Sequence, residues 1–250
     1  MGSPFSLSRL WGQTFGQVFG QKASTGPATP VSVNNEACRG LDQSLPLEDC
    51  VFTVFDTELT GLNPAKDEIV SIGAVRIRNL QIIQGERFHV LVKPEMPLPK
   101  FSTLIHRITP ERIGQAPALA QVLPDFLAFL NGTLLVGHYV ELDMSFLSAA
   151  CKRLYGQAPA NPCLDTMLLA MSWQRRLQSA YCDQFDQSIS YTLGSLSKRL
   201  GLPAFPSHDA MHDAMQTAYL FIYLTQKLRA MGIRTLRELH RPARSQSYGL

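Results

Sequence analysis

From about residue 46 onward the apolar positions fall into two regimes. Val51–Phe55 (VFTVF) is a short run of β-branched and aromatic residues, which predicts a buried strand. Ile69–Ile77 (IVSIGAVRI) and Gln81–Val92 follow, with turn-forming Asn79 between them. Three sequential strands on short links predict an antiparallel meander, ended by Pro94, Pro97 and Pro99. A helical period then takes over. Leu119, Val122, Leu123, Phe126, Leu127 and Leu130 share one face, predicting a helix over Ala118–Leu130. Leu134–Val136 reads as another buried strand. Further helices are expected over Leu142–Leu154, over Thr166–Trp173 with Asp165 as N-cap, and over Thr192–Leu200 closed by Gly201. The last is expected over Asp209–Met231, with Ala210, Ala214, Ala218 and Phe221 in a stripe. Strands first, then alternating helices and strands, predict an α/β fold with a mixed sheet.

Residues 1–45 differ. They are rich in Gly, Ser, Gln, Thr and Pro, and residues 23–36 read as a linker. Leu7, Leu10, Trp11, Phe15, Val18 and Phe19 share half a helical wheel opposite Gly12, Gly16 and Gly20. Two readings stay open for this tail: disorder, or a peptide that docks on a protein partner or a membrane surface. The expected division is therefore 1–45 as tail, 46–232 as the folded domain and 233–250 as a basic tail.

Composition narrows the class. A chain of 250 residues with 45% hydrophobic and 17% charged residues can bury a core. No stretch reaches the roughly 18–20 apolar residues of a membrane span. The net charge of +3 excludes a strongly basic nucleic-acid coat. Basic residues gather at the end, in Lys227, Arg229, Arg234, Arg237, Arg241 and Arg244, either as a solvated face or as phosphate contacts. Five cysteines, an odd number with no C-x-x-C pair, argue against a disulfide framework or a structural zinc site and are expected as free thiols in a reducing cytoplasm.

Four carboxylates stand where packing alone would not want them. Asp56 and Glu58 follow VFTVF, and two acids one residue apart on a strand point the same way. Burying both is costly unless a hard cation neutralises them. Asp143 opens a helix after the strand 134–136. Asp213 lies in the first turns of the final helix, five residues after His208. Each has a plain alternative, such as a favourable place in a helix dipole. Asp165 reads as a cap, His212 as solvent-facing, and Asp183 and Asp186 as part of a polar loop, 178–190, that could flank the site.

In order along the chain, FDTELTG (55–61), GHYVELDMSFL (137–147) and HDAMHDA (208–214) resemble the motifs of the DnaQ-like 3′→5′ exonucleases, the DEDDh branch of the DEDD superfamily, with wording similar to the epsilon exonuclease domain of DNA polymerase III. IVSIGAVRI, IHRITPERI (105–113) and LDTMLLA (164–170) support it, and the likeness covers about residues 48–230. The resemblance implies a ribonuclease H-like mixed sheet, with antiparallel first strands, flanked by helices. It implies two divalent ions, Mg²⁺ with Mn²⁺ as substitute, on Asp56, Glu58, Asp143 and Asp213, with His208 as general base. It implies substrate contacts at Glu58, Leu59, Thr60, Leu62, His106 and His138. Departures are Leu59 for a common Thr, Phe101 for an acid that recognises the 3′-hydroxyl, Arg107 for Gly and Tyr139 for Asn. The expected activity is release of nucleoside 5′-monophosphates from 3′ ends, with single-stranded DNA as first expectation. RNA trimming is the first rival and a non-catalytic nucleic-acid-binding module the second.

Overall fold

In the computed structural model, which describes residues 28–181 and 190–244, the apolar runs form the expected meander. Strands β1 (Phe52–Leu59), β2 (Ile69–Arg78) and β3 (Gln81–Leu91) pair antiparallel in sequence. Strands β4 (Leu134–Gly137) and β5 (Cys163–Asp165) add in parallel beyond β1, giving the order β3-β2-β1-β4-β5. The mixed α/β sheet is thus found. β5 has no counterpart in the sequence reading, because three residues are too few for a period and Asp165 reads equally as a cap.

Helices cover both faces. On one face lie α6 (Thr166–Tyr181), α7 (Leu193–Arg199), α8 (Ala210–Ala230) and α9 (Leu236–Arg244). Phe52 and Val54 meet Phe221 and Leu224 there, and the rings of Phe52 and Phe221 pack edge to face at 4.9 Å. On the other face lie α4 (Leu119–Leu130) and α5 (Val140–Tyr155), whose Phe126 and Phe146 cover Phe55 and Ile72. The alternation of Phe52 and Val54 against Phe55 is the period-two signature of a strand buried on both sides. Two short helices, α2 (Lys100–His106) and α3 (Pro110–Ile113), follow β3. Both are short, with Pro99 just before α2 and Pro110 as the first residue of α3.

The domain boundaries need correcting. Helix α1 (Pro30–Cys38) lies inside the expected linker and tail, and Thr29 and Ser32 close it with a capping box. Val31 enters the core beneath α4. Asn34 is buried, donating to Asn161 Oδ1 at 2.6 Å and accepting from the Gly132 N–H at 2.7 Å. Asn35 bonds Ala158 and Ala160 across the same seam. At the other end, Leu236 and Leu239 are core residues, and Leu47 N–H donates to Arg234 O at 2.9 Å. Residues 30–45 and 233–240 are therefore built into the domain. The sequence hid this because asparagines dock α1 by polar contacts, which leave little apolar pattern. The expected docking peptide over residues 1–20, and Asp183 and Asp186, lie outside the described residues.

Candidate active site

Asp56 and Glu58 sit on the same side of the end of β1, as their spacing requires. Asp56 pairs in register with Gly73 of β2. A Cβ at position 73 would stand 2.3 Å from the Ala210 backbone, so only glycine lets the start of α8 lie against the sheet. That close approach carries Asp213, in the first turn of α8, to the pair on β1. One carboxylate oxygen from each of Asp56, Glu58 and Asp213 falls within 4.8 Å of the others. Gly73→Ala is expected to lower stability by about 1–3 kcal/mol, since the clash is with backbone and cannot be relieved by a rotamer, and to cost activity as α8 moves away. Thermal melting and a nuclease assay on the same preparation check it; unchanged values in both would contradict the close approach.

The fourth acid arrives from the other side. Asp143 is buried on α5, and its Oδ1 accepts from Thr57 N–H at 2.9 Å and from Thr57 Oγ1 at 2.5 Å. Thr57, the residue between the two strand acids, thus points to the opposite face and anchors Asp143. Sequence reasoning passed over it, and the middle letter of D-T-E was the signal. The turn into α5 is strained: Tyr139 has φ 61°, a left-handed conformation that Asn adopts more readily than Tyr. Asp165 holds it, accepting from Tyr139 and Val140 N–H at 3.2 Å each and from Met167 N–H at 2.8 Å. The expected cap thus serves two helices, α5 as well as α6.

Electrostatics mark the cluster. Burial and the mutual repulsion of Asp143, Asp213 and Glu58 push Asp56 well above the usual carboxylate range. Burial, with Asp213 and Asp209, raises Glu58 to about 8, and burial raises Asp143 to about 7. Asp213 is raised by burial, against the lowering effect of the His208 N–H and ring. The ion pairs of Arg39, Arg76, Arg78, Arg153 and Arg229 all lie elsewhere. An all-oxygen set of this kind, short of countercharge, fits a hard divalent cation.

His208 is exposed beside this cluster, with φ 64°, and its backbone N–H donates to Asp213 Oδ2 at 2.8 Å. Asp209, not singled out by sequence, caps α8 through Met211 and His212 N–H and adds to the negative field. His212 keeps a side chain 42% exposed, stacked on Phe205 with its Nδ1 3.6 Å from Asp209.

The expected substrate contacts divide. His106 is buried, with Nδ1 accepting from Ile108 N–H at 3.0 Å, so the proton rests on Nε2, which has no partner among the described residues. Burial and nearby His208 hold its pKa down. Leu62 is 77% exposed. Leu59, in contrast, packs against the core, and Thr60 spends its N–H on Glu68 O and its hydroxyl on Glu68 N–H and Asp67, closing the loop 60–68. His138 is corrected outright. Its Nδ1 meets Thr166 Oγ1 at 2.8 Å and its Nε2 meets Tyr191 O at 3.0 Å, leaving no ring nitrogen for a substrate.

The sequence profile of the exonucleases (RNase T) matches residues 53–221, which span every carboxylate of this cluster. The chain belongs to the exonuclease family. It is 39% identical over 193 residues to a DNA polymerase III subunit epsilon-like protein of Rhodobacter capsulatus, covering 76% of this chain and 26% of that protein. It is 34% identical over 201 residues to the PolC-type DNA polymerase III of Thermotoga petrophila, covering 80% of this chain and 14% of the relative. The chain thus matches only a minor part of these longer proteins. Among solved structures, exonuclease X in complex with 5′-overhanging duplex DNA is 26% identical with a TM-score of 0.50, covering 70% of this chain and 91% of the other. Exonuclease I of E. coli, bound to a dT13 oligonucleotide, shares the fold with a TM-score of 0.62 at 20% identity, covering 74% of this chain and 43% of the other. This exonuclease domain of DnaQ type has the ribonuclease H-like arrangement expected of it. Among its described residues no helix is long and apolar enough to cross a membrane.

Proposed function

We propose that this exonuclease works in the 3′→5′ direction on DNA, releasing nucleoside 5′-monophosphates with the aid of two divalent cations. The observation that carries the reading is the convergence of Asp56, Glu58 and Asp213 within 4.8 Å, with His208 bound through its backbone to Asp213. Asp56, Glu58 and Asp213 would hold one cation, and Asp143, steadied by Thr57, would complete the second site beside Asp56. Mg²⁺ or Mn²⁺, when bound, supplies positive charge that acidifies a water and stabilises the leaving 3′-oxygen. His208 takes the proton of the attacking water, for which its exposed position leaves the ring free to reach solvent. His106 Nε2–H donates to the terminal nucleotide, and Leu62 packs against its base. DNA is preferred over RNA because the curated relatives are named for DNA polymerase III and the 26% identical structure holds DNA.

The test is cleavage of matched 5′-labelled DNA and RNA oligonucleotides with Mg²⁺, Mn²⁺ or EDTA. A metal-dependent ladder that shortens from the 3′ end, faster on DNA, is the expected result. His208→Ala should slow it by about 10²–10⁴-fold while the melting temperature stays within a few degrees. Faster trimming of RNA would reassign the substrate. Binding of nucleic acid without cleavage of either would make the chain a non-catalytic module.

A further inference from the structure

The segment that carries His208 has little backbone structure of its own. It runs from the end of α7 to the start of α8, and among the described residues no backbone-to-backbone hydrogen bond reaches positions 203–208. All of these positions but Phe205 are exposed, and Pro203 and Pro206 have no N–H to donate. His208 itself stands at φ 64°, where a non-glycine residue persists only when its surroundings hold it. A general base must also stay within hydrogen-bond reach of the proton it takes. Something must therefore fix this segment against the domain.

One stripe of α8 does so. His212, Gln216 and Tyr219 stand at i, i+4 and i+7 along it. Gln216 is buried, an unusual place for a residue type that is mostly exposed. Its Oε1 accepts from Phe205 N–H at 3.1 Å and its Nε2 donates to Pro203 O at 2.8 Å. One side-chain amide thus serves a donor and an acceptor of a chain that has no ladder to join. A carboxylate could only accept, and a hydrocarbon could do neither. The Phe205 ring then stacks between its two neighbours on the stripe, 5.8 Å from the Tyr219 ring and 6.2 Å from the His212 ring. The segment is so fastened to α8 at both ends, at 203 and 205 by Gln216 and at 208 by the Asp213 carboxylate. Without Gln216, His208 would hang from a single bond to one of the crowded acids.

We propose that Gln216 is a positioning residue for the reaction: its amide, with Phe205 clasped between His212 and Tyr219, pins the segment 203–208 to α8 and so fixes His208 beside the acid cluster. The proposal rests on the reading of His208 given above and deepens it. Gln216 touches neither substrate nor cation and acts through His208. A residue that served packing alone would affect the rate equally whether or not His208 were present.

The experiment compares Gln216→Met, similar in length but unable to make both bonds, and Phe205→Ala, each alone and combined with His208→Ala. Pro203 O and Phe205 N–H belong to an exposed segment and can turn to water, so the variants should fold, and melting temperatures confirm it. On a 5′-labelled DNA strand with Mg²⁺, Gln216→Met should lower kcat about 10- to 10²-fold with KM within about twofold. In the His208→Ala background the same substitution should change kcat by less than about twofold. Phe205→Ala should show the same dependence on His208 with a smaller loss. Hydrogen exchange at the His208 amide, followed in EDTA, reads the pinning apart from cleavage and should quicken about tenfold in Gln216→Met. Equal losses of kcat with and without His208 would overturn the proposal and leave Gln216 a packing residue. A raised KM with unchanged kcat would overturn it as well. If exchange quickens but wild type cleaves neither DNA nor RNA, or His208→Ala cleaves as fast as wild type, the pinned segment stands and the reading of His208 falls. If cleavage needs His208 and Gln216→Met matches wild type in both exchange and kcat, the reverse holds.

Discussion

Asp56→Asn should abolish cleavage and, in the absence of metal, raise the melting temperature at about pH 8. The two effects share one cause. Burial first, and then its neighbours Asp143, Asp213 and Glu58, hold Asp56 well above the usual carboxylate range. It lies on the central strand β1, between the cluster formed with Glu58 and Asp213 and the Asp143 side. Asparagine keeps the shape and loses the charge. Without cation, the folded chain must either hold a proton on Asp56 or crowd its charge against the other acids in a poorly solvated place, and asparagine removes both costs. With cation, on the reading proposed above, the same removal takes away one of the carboxylates that would hold it. The expected loss in kcat is on the order of 10³-fold or more, comparable with deleting a preorganised electrostatic group from other active sites. Melting curves in EDTA and in millimolar Mn²⁺, set beside the oligonucleotide assay, read both effects. Activity within tenfold of wild type would remove Asp56 from the centre of the mechanism. A lower melting temperature in EDTA would show that the charge is already neutralised by something within the protein.

The second large effect is a dependence of stability on pH that metal reverses. Glu58 at about 8 and Asp143 at about 7 are raised above their unfolded values near 4. In that interval the folded chain keeps protons that the unfolded chain releases. Stability therefore falls as pH rises through the folded values, and is greatest, for these groups, below about pH 4. Two histidines act in the other sense. His106 and His138 are held below their usual range, by burial first, so acid below about pH 6.5 charges them only at the expense of the fold. Between about pH 6.5 and pH 8 the carboxylates alone set the slope. The melting temperature in EDTA should fall across this range, and Mg²⁺ or Mn²⁺ should raise it more at pH 8 than at pH 6.5, since binding displaces protons. Glu58→Gln should flatten the slope. A flat or rising curve for the wild type in EDTA would mean that the carboxylates are not crowded as described.

Much of the site was legible in the primary structure for a local reason. Asp56 and Glu58 are fixed to one side by the two-residue period of a strand, and VFTVF announces that strand. His208 and Asp213 are brought together by one turn of chain at the start of α8, closed by the Asp213 carboxylate on the His208 N–H. Such relations need no knowledge of the rest of the fold. The substrate side was less legible. His138 carries a ring that could face either way, and only the position of Thr166 and Tyr191 O, 28 and 53 residues further on, turns it inward. Thr60 likewise spends its polar groups on Glu68 and Asp67 in its own loop.

By itself, then, the sequence determined the alternating strands, the long helices and the four acids with their histidine, because each follows from spacing along a single element. Tertiary structure decided what depends on elements meeting. It brought Asp213 beside Asp56, through a glycine at 73 that lets the α8 backbone touch β2. It anchored Asp143 on Thr57 and gave Asp165 two helices to cap. It folded α1 and α9 into the domain by asparagine contacts and a few leucines too sparse to form a pattern. It also turned an apolar face of α2, formed by Phe101, Leu104 and Ile105, outward. Hydrophobic periodicity says that a helix has an apolar face, but only the packing of Ser102 and His106 against the domain decides which face is buried.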